Sequence, residues 1–469
     1  MLNIPDFQNA EAPIRFFEEI SKIPHISEHT EKIADYLVNF AKERNLWYSR
    51  DAANNVIIRK PATTGYENRP TVIFQGHTDM VADKVKDCTL DMENEGLKIF
   101  RDGDFIRAEG TTLGGDDGVA IAYALAVLDS DDIAHPEFEA LFTSDEEIGL
   151  LGAAALDASL LNGKTMINID SDVEGVFTVG CAGGMRMDLD LTMKKGEKCD
   201  GLYTLSLSGL LGGHSGTEID KGRINAIKVL AEILSVAENV KIAEISGGNA
   251  DNAIPRSAEC VFGGNLSENA VSNIVEKYRA AEPNIKAVLE KADGNASVFS
   301  MENSKRIIET VIEIPSGVAA MCEDIPGLPE TSSNLGIIKT SDNGVNVSVS
   351  LRSSKNSEKN KLRLKIRAIA EKFSASVGER GEYPAWEYKK ESHLREVMRK
   401  VYSDMYAKEP EIITIHAGLE CGIFSNKIEG LDCVSIGPDN FDIHTPEERL
   451  SISSFARVWD YLKTVLARI

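Results

Sequence analysis

Residues 71–81 read TVIFQGHTDMV. Thr71 through Phe74 are β-prone or apolar and read as a short buried strand. Gly76 breaks it, and His77 and Asp79 follow directly. Open α/β sheets place their ligand sites at the ends of their strands. Two residues apart on an extended chain, His77 and Asp79 point to the same side. That geometry suits a metal-binding imidazole with a carboxylate close enough to influence it. The segment alone fits a polar surface loop equally well.

The flanking sequence moves that balance. Before this stretch, 12–22 and 30–43 show helical spacing of apolar residues, separated by Ile23-Pro24, and 55–59 (NVIIR) reads as a strand. After it, 88–109 reads as short strands. A glycine-rich loop, GTTLGGDDG (110–118), then feeds an alanine-rich helix over 119–128. A strand over 138–143 ends in Ser144-Asp145-Glu146-Glu147, a helix is expected over 153–161, and a strand over 165–169 ends in Asp170-Ser171-Asp172. Three strands ending in His or acidic clusters, with helices between them, predict an α/β fold: a mostly parallel sheet with covering helices. Strand ends of such a sheet converge on one edge, which favours a shared site over separate solvated loops.

Beyond Gly183-Gly184 the pattern changes. The stretch 203–208 alternates apolar and polar residues, and so does VNVSVSLR (345–352), with Val345, Val347, Val349 and Leu351 on one face. Helices are expected over 225–237 and 358–373, and a strand over 258–263. This reads as an inserted α+β lid domain over 187–381. From 383 the first pattern returns, with helices over 393–405 and 451–469 and strands over 412–415 and 434–436. The expected layout is a catalytic domain formed by 1–186 and 382–469, with 187–381 inserted.

Composition limits the partners. In 469 residues, 51 Lys and Arg face 74 Asp and Glu, giving a net charge of −23, which disfavours nucleic acid and anionic membranes as partners. No apolar run reaches a membrane span, and no signal peptide is read at the N-terminus. The seven cysteines are dispersed without a C-x-x-C pair, as expected for reduced thiols in a cytoplasmic protein and against a thiolate zinc site.

Five residues at strand ends or in loops could ligate metal: His77, Asp116, Glu147, Asp170 and His444. Two imidazoles and three carboxylates suit a pair of zinc ions, with manganese or cobalt as substitutes, provided that one carboxylate bridges. In the Glu146-Glu147 doublet, adjacent side chains point different ways, so one can bind metal while the other serves as general base. His214, among the glycines of GGHSG, could reach a developing oxyanion. Arg352 could grip a carboxylate or be a plain surface arginine. His416 opens HAGLECG after a strand.

The segments HTDMV, GTTLGGDDG, SDEEIG, NIDSD, CAGG, GGHSG, NAIPR, HAGLECG and SIGP followed by His444 resemble the aminoacyl-histidine dipeptidases, also called cytosolic non-specific dipeptidases. These are relatives of the co-catalytic zinc aminoacylases and carboxypeptidases. The resemblance implies a dipeptidase of unblocked dipeptides, Xaa-His among them, acting through a metal-bridged water with Glu146 as general base. It gives His77 to one ion, His444 to the second, Asp116 to both, and Glu147 and Asp170 to opposite sides. It also gives Asp79 the task of orienting His77, and His214, Asn252 and Arg352 contacts with a small peptide substrate. A cis peptide joining Asp116 and Asp117 is implied too; Asp117 departs from the Asn often found there. The lid is expected to act on its own site or on a partner subunit's, so a homodimer is among the assemblies allowed. Rival readings are a tripeptidase, carboxypeptidase or N-acyl amino acid deacylase of the same plan, or a non-catalytic binding protein on this fold. Loss of a ligand or of Glu146 would mark the last, and neither is lost.

Overall fold

Four parallel strands form the heart of one sheet: Phe138–Thr143, Val72–His77, Thr165–Asn168 and Asp432–Ser435, in that spatial order. The computed structural model describes residues 5–323, 325 and 327–469. These fall into two units. One takes the chain up to Gly180 together with Tyr388–Thr414 and Leu419–Ile469; the other takes Cys181–Glu387 and Ile415–Gly418.

In the first unit the sheet has eight strands. Trp47–Arg50 and Val56–Lys60 flank the parallel heart on one side, and Val176–Cys181 and Glu411–Ile415 on the other. Val56–Lys60 and Val176–Cys181 join this parallel heart antiparallel. The register sets His77 beside Thr143 and Gln75 beside Asn168, so Val72–His77 and Phe138–Thr143 end level and Thr165–Asn168 stops two residues short of them. Gly76 does not break its strand; it continues to His77. The glycine serves a close approach instead: a Cβ there would lie 2.2 Å from Ala120 Cβ and 2.3 Å from Asp117 Oδ2.

The helix Gly115–Asp129 is apolar on nearly every side and is buried accordingly. Tyr123 stacks with the rings of Phe455 and Trp459, at centroid distances of 4.5 and 5.8 Å, and its hydroxyl donates to Phe455 O. The amphipathic helix Glu11–Ile20 packs on it. The helix expected over 153–161 is shorter, Leu151–Ala155, followed by a 3-10 turn that Asp157 caps through Ser159 N–H.

The second unit is built on a nine-stranded sheet. Its Gly344–Ser353 strand buries Val345, Val347, Val349 and Leu351 against the unit's core, as the alternation predicts. Helices Ala226–Ser235, Met301–Glu313 and Asn356–Lys372 contribute to the same core. The strand Pro329–Ser341, which pairs along nearly all of Gly344–Ser353, carries too many polar residues to be read from sequence.

Glu379 on the strand Ser376–Tyr383 receives Arg363 bidentately and Arg367 from the helix Asn356–Lys372. The hydrogen bonds from Arg363, then Arg367, bring its carboxyl down to about 2. A carboxyl held below its unfolded value stabilises the fold above the unfolded pKa and ceases to do so as pH falls through the folded one. Glu379→Gln should therefore lower the urea midpoint at pH 7, with the gap to wild type closing as pH falls from about 4.5 toward 2. A gap independent of pH would show that the ion pairs contribute nothing.

Candidate metal centre

Adjacent parallel strands that end at one edge of the sheet deliver their polar residues to one place. His77 is buried at the end of its strand. Its Nδ1 donates to the backbone carbonyl of Asp79 at 2.8 Å, whereas the Asp79 carboxylate stands 3.6 Å away. The nearer partner fixing the imidazole is thus the backbone of Asp79. The Asp79 carboxylate is occupied elsewhere: Oδ1 accepts Glu146 N–H, and Oδ2 accepts Ser27 Oγ and Glu147 N–H. It ties the His-x-Asp segment to the Glu-Glu turn.

His77 Nε2 is left facing Asp116 Oδ1 at 2.9 Å, and the other oxygen, Asp116 Oδ2, lies 3.2 Å from His444 Nε2. One carboxylate therefore addresses both imidazoles, one oxygen to each. Glu147 Oε1 approaches His444 Nε2 to 2.8 Å yet takes part in no hydrogen bond, and Asp170 Oδ2 is buried without a partner. The peptide between Asp116 and Asp117 is cis.

Ligand atoms of His77, Asp116 and Asp170 lie within 4.8 Å of one another, and so do those of Asp116, Glu147 and His444. The two sets share Asp116. A third set joins His77, Glu146 and Glu147, so Glu146 also reaches the cluster. Nitrogen and carboxylate donors in two such groups with one shared carboxylate fit two divalent ions, and the unpartnered oxygens of Glu147 and Asp170 are the donors such ions would satisfy.

The electrostatics agree. Burial pulls the His77 imidazole down, but its hydrogen bond to Asp116 and the nearby carboxylate of Asp79 hold it well above its ordinary value. The neighbouring carboxylates of Asp116 and Glu147 lift His444 to about 10. Burial opposes ionisation of Asp116, yet His444 and His77 keep it below the usual carboxylate range. Burial, then Asp116, pushes Asp170 well up. Burial raises Glu146 to about 8 against the pull of His77, with Glu420 and Glu147 adding to the rise. The cluster draws positive charge, and in its absence takes up protons.

Three carboxylates near the centre had no role in the sequence reading. Glu420 accepts Gln75 Nε2 at 2.5 Å and Thr143 Oγ1 at 2.6 Å beneath the strand ends. Burial, then Asp116, raises Asp172 to about 7. Glu448 bonds the backbone of the loop that carries Asp116. Glu420 lies in the HAGLECG segment already singled out; in a chain this acidic, nothing local sets Asp172 or Glu448 apart.

In the second unit, Gly213–His214 pairs with Ala253–Ile254, and Asn252 O accepts Ser215 N–H, so His214 and Asn252 are neighbours. The glycine-rich segment is thereby held in a short ladder. His214 Nδ1 accepts the N–H groups of Gly216 and Thr217, which puts its proton on Nε2. Arg352 donates to Tyr383 Oη, and its Nε has no hydrogen-bond partner. His416 bonds Ser332 Oγ through Nε2 at 2.7 Å; burial, then Arg352, drives it down to about 4.

If Asp116 serves both ions, Asp116→Asn removes the shared charge. Metal-stripped variant titrated with zinc should take up at most one ion per chain where wild type takes up two. Two ions bound at unchanged affinity would exclude the shared role.

Comparison with known proteins adds a family to this geometry. The chain is 34% identical over 467 residues to the cytosol non-specific dipeptidase of Escherichia coli (strain K12), covering 97% of this chain and 96% of that protein. The crystal structure of aminoacylhistidine dipeptidase from Vibrio alginolyticus superposes with a TM-score of 0.92 at 35% identity, covering 100% of this chain and 98% of the other. Aminopeptidase PepT from Bacillus cereus shares the fold at a TM-score of 0.58 and 16% identity, over 98% of each chain. The model of Peptidase family M20/M25/M40 matches residues 73–468, and the chain belongs to that family.

Proposed function

We propose that this chain is a metal-dependent dipeptidase of unblocked dipeptides, Xaa-His among them, in which His77, Asp116 and Asp170 hold one divalent ion and Asp116, Glu147 and His444 the other. The observation that carries the reading is Asp116, whose two oxygens face the two imidazoles at 2.9 and 3.2 Å. Zinc is the proposed ion, with manganese or cobalt able to replace it, since the donor set is imidazole and carboxylate. When bound, the ion pair would polarise the scissile carbonyl and acidify a water.

The chain's own residues supply the rest. Glu146 takes the proton of the attacking water and passes it to the leaving amine; a proton affinity raised by burial toward neutral pH suits a group that must do both. Asp79 keeps Glu146 in place by accepting its backbone N–H. His214 offers its Nε2–H to the developing oxyanion, and Arg352, with Asn252, receives the free carboxylate of the peptide. A cytoplasmic location is part of the proposal. It is supported by the seven free cysteines and by the name of the Escherichia coli relative; no helix among the described residues is long and apolar enough to cross a membrane.

Two substitutions test the assignment of roles. Glu146→Gln should keep both ions and lose about 10²–10⁴-fold in dipeptide turnover. Metal content and turnover read on the same sample decide the case: near-full activity rules out the base, and a lost ion makes Glu146 a ligand. His214→Ala should lower kcat with little change in metal content, and unaltered turnover removes His214 from the mechanism. A panel of dipeptides, tripeptides, C-terminally extended peptides and N-acyl amino acids separates the dipeptidase from its rivals; preferential cleavage of any other class overturns the substrate assignment.

A further inference from the structure

Glu448 lies four residues beyond His444 and is almost wholly buried. Its carboxylate is spread over consecutive backbone N–H groups far away in sequence. Oε2 accepts Leu113 N–H at 2.6 Å and Gly114 N–H at 3.0 Å; Oε1 accepts Gly115 N–H at 2.8 Å and Asp116 N–H at 3.4 Å. Asn440 Nδ2 donates to Oε1 at 3.2 Å. These donors open the helix Gly115–Asp129, where N–H groups have no partner within the helix and where negative charge is favoured. No side chain of the helix's own N-cap residue can serve, because that residue is Gly114, at a φ of 70°. The loop also has little room to shift: a Cβ at Gly115 would lie 2.8 Å from Asn440 Nδ2.

We propose that Glu448 is a positioning residue of the metal centre: it clamps the backbone of residues 113–116 to the segment bearing His444, and so fixes where the Asp116 carboxylate stands relative to both imidazoles. The inference rests on the metal site proposed above. A helix cap needs one or two acceptor contacts at its end. Glu448 supplies contacts to four successive residues ending at the shared ligand, and it comes from the short segment that also supplies His444. Outer-shell groups that orient ligands in this way typically change metal affinity about 10–100-fold when replaced.

Glu139 provides the control. It too is a buried carboxylate that clamps a loop, accepting Asn162 and Gly163 N–H and pairing with Arg59, but it touches none of the residues of the centre. Zinc is titrated calorimetrically into the metal-stripped full chain of wild type, Glu448→Gln, Glu448→Asp and Glu139→Gln. Thermal melts and kcat and KM for a dipeptide are recorded alongside. In Glu448→Gln an amide NH₂ meets backbone donors, so zinc affinity should fall by about 10–100-fold for at least one ion. Its kcat should fall with KM little changed, and Glu448→Asp should lie between it and wild type. Glu139→Gln should melt lower yet bind zinc as wild type does. Wild-type affinity in Glu448→Gln overturns the proposal, as does an equal loss of affinity in Glu139→Gln. Should Glu448→Gln fail to fold, unchanged affinity in Glu448→Asp overturns it. A wild-type chain that takes up no zinc is a separate failure, because it sinks the metal site itself.

Discussion

Burying several carboxylates side by side is the constraint on which the rest of the first unit depends. Asp79, Asp117, Glu420 and Glu448 are buried around a centre that also holds Asp116, Glu146, Glu147, Asp170 and Asp172. An uncompensated buried carboxylate is costly and responds by taking a proton. The upward displacements of Glu146, Asp170, Asp172, Glu420 and Asp117 are that response, and Glu448 is raised too although its backbone donors oppose the rise. Only cations can make the whole set favourable as anions, and the two imidazoles alone are too few for the carboxylates present.

The fold meets the constraint in two ways. Some carboxylates are compensated by backbone donors: Asp79 by the N–H groups of Glu146 and Glu147, Glu448 by those of residues 113–116. These are spent as structure, and each joins two segments that sequence separates widely. Others are left with an oxygen outside any hydrogen bond, as in Glu147, where it faces His444, and in Asp170. The same chemical group thus does two different jobs, and the number of backbone N–H groups within reach decides which. Parallel pairing makes the division possible, because adjacent strands then run to the same edge and bring three chain segments there.

That division explains what the sequence disclosed. His77, Glu147 and Asp170 were legible because each follows an apolar strand directly, and a strand's end is where its side chains leave the core. The parallel heart and the alternating strand 345–352 were legible for the same periodic reason. Gly76 misled, since a glycine that admits Ala120 and Asp117 looks in sequence like one that ends a strand. Pro329–Ser341 was invisible because its Thr331 to Asn334 are polar yet buried, where side-chain partners replace apolar packing. Glu448 and Asp172 were invisible for another reason: their significance lies in partners remote along the chain, and composition alone makes acidic residues common.

The second unit uses the opposite electrostatics. Arg352 lowers both His214 and His416, each already lowered by burial, so both imidazoles are kept neutral beside a fixed positive charge. Neutral His214 keeps a hydrogen-bond donor on Nε2 because backbone N–H groups occupy Nδ1. A neutral donor beside one guanidinium suits an anionic group of a substrate, whereas the carboxylate cluster of the first unit suits cations. A free peptide carries a carboxylate at one end and a carbonyl to be polarised in the middle, so its hydrolysis needs an anion-binding group and a cation-holding cage together. The insertion of one unit's sequence within the other's keeps the two complementary sets on one chain.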